Sequence, residues 1–360
     1  MNPGSNVSVT GTIQRDHWAA GSMPPIEQLR SDLWSIPLPM ENSPLRYVSI
    51  YVLVGEGGLT LVDAGWDSDE AYDALQAGLN ALGGTVSDVL GCLVTHHHPD
   101  HLGLADRIRE ASGAWIALHP ADADVVASPE YRHPPTALDA DVRWLCQLGA
   151  TREEAQRLLS LDVDHRADIA LADRLIEDKE EVRTSGWTLH AVHTPGHTPG
   201  HLCFFAPDHN VLFSGDHLLP RISPNIAVSR QPAVDALGDF LQSLTQVEGL
   251  GDPEILPAHE WRFRGISART AQLRNHHALR LSELLAVVRA NPHSTPWELA
   301  PLLRWSRSWD QYDGFLKWSA VSETASHLQH LRERGEITRT SDKTMRFRAV
   351  TRSSGVEWEI

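Results

Sequence analysis

The stretch THHHPDHLG, residues 95 to 103, constrains this chain more than any other. It places four histidines and one aspartate within the six positions 96 to 101. Imidazole nitrogens beside a carboxylate suit zinc, iron or manganese better than calcium or magnesium. In an extended segment residues two apart project to the same side, so His96 and His98 can grip one ion together. Pro99 enforces a bend, past which Asp100 and His101 can turn toward a second ion. An affinity tag would not sit inside the chain with Pro-Asp interleaved. The apolar run VLGCLVT leads into the cluster and the helix-like GLADRIREASG follows it. That order, strand then loop then helix, lets a rigid strand position a reactive loop.

Three later segments repeat the plan. HTPGHTPGH (193–201), LFSGDHLL (212–219) and ILPAHE (255–260) each follow or contain an apolar strand that delivers His or Asp to a turn. Among His193, His197 and His201 the residues alone leave the choice open. The order H-x-H-x-D-H, then His, then Asp, then His, resembles the metallo-β-lactamase-fold hydrolases over roughly residues 30 to 265, including an early aspartate, Asp63, in LVDAG. The resemblance implies that His96, His98 and His197 hold one metal, that Asp100, His101 and His259 hold the other, and that Asp216 bridges them. It implies two zinc ions per chain, with iron or manganese as alternatives, and a shared hydroxide that Asp100 also orients as a catalytic group. Asp63 reads as fixing a ligand loop by hydrogen bonding rather than as a ligand. No Ser or Cys nucleophile stands in an elbow motif.

The expected fold class is α+β, a four-layer αββα sandwich. Residues 1–30, rich in Gly, Ser, Pro and Asn, read as a loose lead-in. Residues 31–270 form the catalytic domain, interrupted at about 119–180 by a helical insertion. Residues 271–360 read as helices closing on a two-stranded ribbon, a small winged-helix-like module. The layout resembles the branch holding glyoxalase II-like and lactamase-beta-2-like proteins and the thioesterases of polyketide pathways, some of whose members cleave single-stranded RNA.

Substrate class must be argued from the surroundings of such a site. The chain carries 31 Lys+Arg against 47 Asp+Glu, a net charge of −16, which disfavours a polyanion. From residue 275 onward the balance is 12 Lys+Arg against 10 Asp+Glu, weak footing for RNA. The insertion's Trp144, Leu145, Leu148, Leu158 and Leu159 are expected to roof an apolar pocket beside the metals, with simple core packing as the competing explanation. Arg221, Arg262 and Arg264, which follow ligand motifs closely, are candidates to bind a substrate carboxylate or phosphate. The expectation is a hydrolase of a small-molecule carbonyl ester, acyl thioester first and lactone second, with single-stranded RNA cleavage third and a non-catalytic binding protein with a vestigial site as the contrasting class. The N-terminal stretch has no basic run followed by an apolar core, so a cytoplasmic protein without membrane partners is expected. The tail leaves a homodimer open. Cys92, Cys146 and Cys203 lack a C-x-x-C pairing and read as buried small apolar residues.

Overall fold

The computed structural model describes residues 6–41, 43–132, 134–160, 171–227, 235–341 and 343–350. In chain order the strands are β1 (Ser8–Val9), β2 (Glu27–Arg30), β3 (Leu33–Pro39), β4 (Tyr47–Gly55), β5 (Gly58–Val62), β6 (Val89–Leu93), β7 (Trp115–Leu118), β8 (Arg174–Leu175), β9 (Glu181–Thr184), β10 (Trp187–His193), β11 (Leu202–Ala206), β12 (Val211–Gly215), β13 (Glu254–Pro257), β14 (Phe263–Arg264), β15 (Ile337–Ser341) and β16 (Arg346–Ala349). The helices are α1 (Thr12–Ala20), α2 (Asp69–Ala81), α3 (Pro99–Leu102), α4 (Ala105–Ser112), α5 (Pro120–Ala127), α6 (Pro129–Arg132), α7 (Pro134–Gln147), α8 (Arg152–Leu159), α9 (Ala236–Glu248), α10 (Ile266–Ala290), α11 (Pro296–Leu299) and α12 (Gly314–Glu333).

The chain divides into two compact units, one of residues up to 137, 164–225 and 238–274, the other of 138–163, 226–237 and 275–360. In the first, β2 to β8 form one seven-stranded sheet in chain order, and the second sheet runs β1-β14-β13-β12-β11-β10-β9. Alternation along β4 explains the layering. Val48, Ile50 and Val52 join Leu75, Leu79, Leu104 and Ile108 of α2 and α4 in a core on the helix side. Tyr51 and Leu53 face the other way, into a core with Trp187, Leu189, Phe204, Phe213 and Leu256 of the second sheet. A strand buried on both faces reads as a near-continuous apolar run, as YVSIYVLV does.

Local chemistry sets the details. Pro37 and Pro39 are tolerated in β3 because β2 pairs only with Leu33 to Ser35, so the later part of β3 is an edge with no donor required on that side. A hairpin joins β4 to β5, closed at Gly55 opposite Gly58. Helix α2 is capped by Ser68, whose hydroxyl accepts from the Ala71 N–H, and Gly78 lets the helix touch the sheet: a Cβ there would lie 2.6 Å from Ile36 Cγ2. From β5 to β8 the pairing is parallel, as it is between β12 and β13, so these neighbours end on the same side.

Residues 6–30 are not the loose lead-in expected, and residues 1–5 lie outside the described residues. Strand β1 pairs with β14, β2 pairs with β3, and α1 lies between them. Main-chain hydrogen bonds from Thr10 and Gly11 to the Arg262 carbonyl tie the segment down.

The second unit holds the later part of α7, α8, most of α10, α11, α12 and the antiparallel ribbon β15–β16. Its boundary therefore does not fall at a single point near residue 270, because residues 138–163 of the insertion belong to it. Residues 161–170 of that insertion lie outside the described residues. The insertion's apolar side chains are not a pocket roof. Val142, Leu145, Ala150, Ala155 and Leu158 form a core with Leu159, Trp297 and Trp318, and Trp144 and Leu148 are buried in the same unit. Core packing accounts for them. Capping boxes at Thr151–Glu154 and Thr295–Glu298 start α8 and α11. Among the described residues no helix is long and apolar enough to cross a membrane.

Candidate metal centre

The centre forms where strand ends of the two sheets meet. On one side β6 runs out at Thr95, and Asp63, just past its parallel neighbour β5, catches it. Asp63 Oδ1 accepts from the Thr95 N–H at 2.7 Å, and Oδ2 accepts from the Thr95 hydroxyl at 3.1 Å and lies 2.8 Å from His101 Nδ1. Asp63 holds a left-handed backbone, φ 64°, that turns its carboxylate back toward the loop. Pro99 opens the short helix α3, with His98 before it, so Asp100 and His101 lie on a helical turn. From the other sheet, β10 leads to His197, β12 to Asp216 and β13 to His259.

Their donor atoms converge. His98 Nδ1 lies 3.0 Å from both His96 Nε2 and His197 Nε2. Asp216 turns Oδ2 to His197 Nε2 at 3.6 Å, and Oδ1 to His101 Nε2 at 3.6 Å and His259 Nε2 at 3.3 Å. Asp100 Oδ2 stands 3.3 Å from His259 Nε2 and 3.7 Å from His101 Nε2. Three sets, His96/His98/His197, His96/His101/Asp216 and Asp100/His101/His259, each keep their donors within 4.8 Å and could hold an ion.

The outward-facing nitrogens decide what the inward ones are. His197 Nδ1 donates to the Asn225 carbonyl at 2.7 Å, His259 Nδ1 to the Tyr47 carbonyl at 3.0 Å, and His101 Nδ1 to the Asp63 carboxylate. The Thr95 hydroxyl spends its proton on Asp63, so its oxygen accepts from His96 Nδ1 at 3.0 Å. Each ring thereby turns Nε2 to the centre, where its neutral form would present a lone pair. His101 Nε2, His259 Nε2 and Asp216 Oδ1 are buried and make no hydrogen bond. Buried polar atoms are rarely left so, and here their orphaning fits a cation.

Charge points the same way. Burial, with neighbouring histidines, pushes His96 and His98 well below the usual imidazole range. Burial also lowers His197, against the pull of Asp216. Burial opposes charge on His101 too, but Asp63, Asp100 and Asp216 raise it to about 10. His259 is likewise raised by Asp216 and Asp100 against burial. Burial would raise Asp100, yet His101 and His259 hold it well below the carboxylate range. Among the described residues these three aspartates are salt-bridged only to histidines. One half of the centre therefore offers neutral imidazoles and the other a surplus of buried negative charge, a donor set that fits two divalent cations.

The other histidines take supporting places. His201 accepts from the Asp216 N–H at 3.2 Å, behind the carboxylate, while His193 Nε2 meets the Pro199 carbonyl. Asp122, fully buried on α5, joins the two ligand loops: Oδ2 accepts from the His97 N–H and the Thr198 hydroxyl, both at 2.9 Å, and Oδ1 from the Gly200 N–H at 2.6 Å. Sequence reasoning missed it, since nothing in HPADADV separates Asp122 from Asp124.

The three arginines are not equivalent. Arg262 is no substrate group: it is buried and closed by Glu27 at 2.6 Å, Glu254 at 3.2 Å and Gln14. Arg264 donates to the Asp252 carbonyl, which precedes β13, whereas His259 follows that strand, so Arg264 points to the wrong end. Arg221 is exposed and bound through Nη2 to Glu260 at 2.6 Å. Cys92 and Cys203 are buried, their thiols pushed up to about 12 chiefly by burial, and Cys146 is half-buried.

Two stacked sheets, helices outside and a buried His/Asp cluster at the strand ends define a class, the metallo-β-lactamase fold. Residues 43–259 match the metallo-beta-lactamase superfamily profile, and the chain belongs to that superfamily. A metallo-beta-lactamase family protein of Thermus thermophilus is 30% identical, with TM-score 0.75 over 90% of this chain and 100% of that one. A beta-lactamase domain protein from Burkholderia ambifaria is 25% identical, with TM-score 0.79 over 96% and 98%. Lactamase-like protein adaB of Aspergillus niger is 26% identical over 66% of this chain and 57% of its own length. A hydroxyacylglutathione hydrolase of Cereibacter sphaeroides is 29% identical over 49% and 53%, and an atrochrysone carboxyl ACP thioesterase of Aspergillus fumigatus 36% over 26% and 20%. The chain thus spans little more than half the length of the first of these curated relatives.

Proposed function

We propose that this protein is a binuclear metal-dependent hydrolase of a small-molecule acyl thioester, with a lactone as the next substrate class. The observation that carries it is the convergence of seven donors, four of them imidazoles whose outer nitrogens are already committed. In this reading His96, His98 and His197 hold one ion, Asp100, His101 and His259 the other, and Asp216 stands between them. When bound, two divalent ions supply an acidified water at neutral pH and positive charge for a developing oxyanion. The protein's part is orientation: the Asn225 and Tyr47 carbonyls, Asp63 and Thr95 fix four imidazole rings, and Asp100 is placed to hold a proton of the attacking water. Relatives named as a hydroxyacylglutathione hydrolase and an ACP thioesterase support the thioester over the lactone. The net charge of −16 weighs against RNA.

Elemental analysis of protein purified without chelator should find close to two zinc ions per chain, and Asp216→Ala should lower thioester hydrolysis by about three orders of magnitude or more. Full activity in Asp216→Ala, or metal-dependent RNA cleavage alongside inert thioesters and lactones, would overturn the reading.

A further inference from the structure

Helix α1, anchored through β1, brings Trp18 against Tyr47, edge to face with centroids 5.8 Å apart. Two guanidinium groups flank the indole, Arg46 at 4.8 Å and Arg221 at 5.7 Å from its centroid. Their commitments differ. Arg221 is clamped to the buried Glu260 by Nε at 2.9 Å, by Nη2 and by its own N–H. Arg46 is exposed, donates one N–H to the Trp18 carbonyl at 2.8 Å, and has no carboxylate within salt-bridge distance among the described residues. Its left-handed backbone, φ 66°, is held by its N–H on the Ser43 carbonyl and by its carbonyl accepting from Met40. The backbone is thus fixed where the side chain departs, and that side chain keeps donors to spare.

The cluster is wired to the candidate centre. Tyr47 accepts from His259 Nδ1 through its carbonyl and donates through its hydroxyl to the carbonyl of Glu260, the residue after His259. Arg46 precedes Tyr47 in the chain. Arg269, buried close by, neutralises no acid directly; it donates to the Leu219 and Ile222 carbonyls on either side of Arg221. Among the described residues Arg46, Arg221 and Arg269 gather here, and Glu260 is the carboxylate they are seen to meet, through Arg221.

We propose that Trp18, Arg46 and Arg221 form an anion subsite on the His259 side of the centre, which takes a phosphate or carboxylate carried on the thiol half of an acyl thioester. This rests on the thioester reading above. The indole orders both guanidinium groups by cation–π contact, and Arg46 supplies uncommitted donors to the anion of the thiol.

The test uses one acyl group on three thiols: N-acetylcysteamine, which is neutral, glutathione, which carries carboxylates, and phosphopantetheine, which carries a phosphate. Arg46→Ala is the variant of choice, because removing Arg221 would leave the Glu260 carboxylate unpaired. The kcat/KM ratio of anionic to neutral thioester should fall about tenfold in Arg46→Ala, through KM rather than kcat, for whichever anion the subsite prefers. An unchanged ratio for both anionic thioesters overturns the subsite. Calorimetric titration of the zinc-loaded protein with phosphopantetheine and with glutathione separates the two failures. Binding of either by wild type that weakens about tenfold in Arg46→Ala upholds the subsite even if no thioester is hydrolysed. Absence of binding by wild type, or equal binding by both proteins, overturns it even if thioesters are hydrolysed.

Discussion

Asp122→Asn should loosen both ligand loops at once. The carboxylate takes three hydrogen bonds, two on Oδ2 and one on Oδ1, with no exposure to solvent. Burial alone would raise its pKa, but the His97 ring, 2.9 Å from Oδ2, and the donated hydrogen bonds hold it below the usual range, so the group is charged at neutral pH. Asparagine can place its single oxygen toward His97 and Thr198, but its amide NH2 then faces the Gly200 N–H. The loss is one charge-assisted hydrogen bond, about 1.5–3 kcal/mol, plus about 1–3 kcal/mol for a buried donor left unmet. A cost of about 2.5–6 kcal/mol follows, and Thr198→Val, which removes one bond, should cost about 1 kcal/mol. Guanidinium unfolding of chelator-treated protein measures this. Zinc affinity, by competition with a chromophoric chelator, should fall about 10- to 100-fold in Asp122→Asn because His98 and His197 are no longer held in register. An unfolding midpoint and a zinc affinity both equal to wild type would refute the clamp.

Other outcomes follow from features outside the centre. In the second unit His277 and His327 face each other at 3.2 Å. Burial and the facing imidazole push His277 down to about 2, and burial with nearby positive groups pushes His327 down to about 3. The unfolded chain binds two more protons below pH 6.5, so stability is full above that value and falls toward pH 3, at most about 2.7 kcal/mol per pH unit. Acid titration of the unfolding midpoint should show a shallower fall in a His277→Leu/His327→Leu variant, and identical slopes would sink the argument. Leu145→Ala should cost about 2–5 kcal/mol by opening a core cavity while leaving zinc content and KM at wild-type values; a raised KM would restore its role as a pocket roof. Arg262→Met should cost about 3 kcal/mol by taking from Glu27 its arginine and leaving Glu254 only Arg30, with KM unmoved, as measured by urea unfolding and steady-state kinetics.

Much of the sandwich could be read in advance because each apolar run ends where a His or Asp begins, a pattern that survives without any knowledge of tertiary contacts. Four of the seven donors lie within six residues, so local spacing alone pointed to them. What stayed hidden depended on distant partners. Two-residue β1 has no periodicity to detect, and its pairing with β14 joins residues more than 250 positions apart. Arg262 looks like a substrate group until Glu27, 235 positions earlier, is seen to close it. The leucines of the insertion are legible as buried, but periodicity cannot say that Trp297 and Trp318 are their neighbours. Asp122 carries no signal at all, since a clamp between loops has no spacing rule.

The unequal spread of the donors along the chain has a consequence during translation. His96 to His101 leave the ribosome as one flexible chelating patch, while His197 follows 96 residues after His101 and His259 158 residues after it. At about 5–20 residues per second the patch is exposed for roughly eight to thirty seconds before the last donor exists. A nascent chain can therefore capture metal in the wrong stoichiometry. Affinity of the unfinished patch for metal also subtracts from the stabilisation that metal gives the finished protein. If the proposed function holds, loading during synthesis at high free zinc should yield protein less active than loading after folding, an asymmetry that a site with its donors spread evenly along the chain would not show.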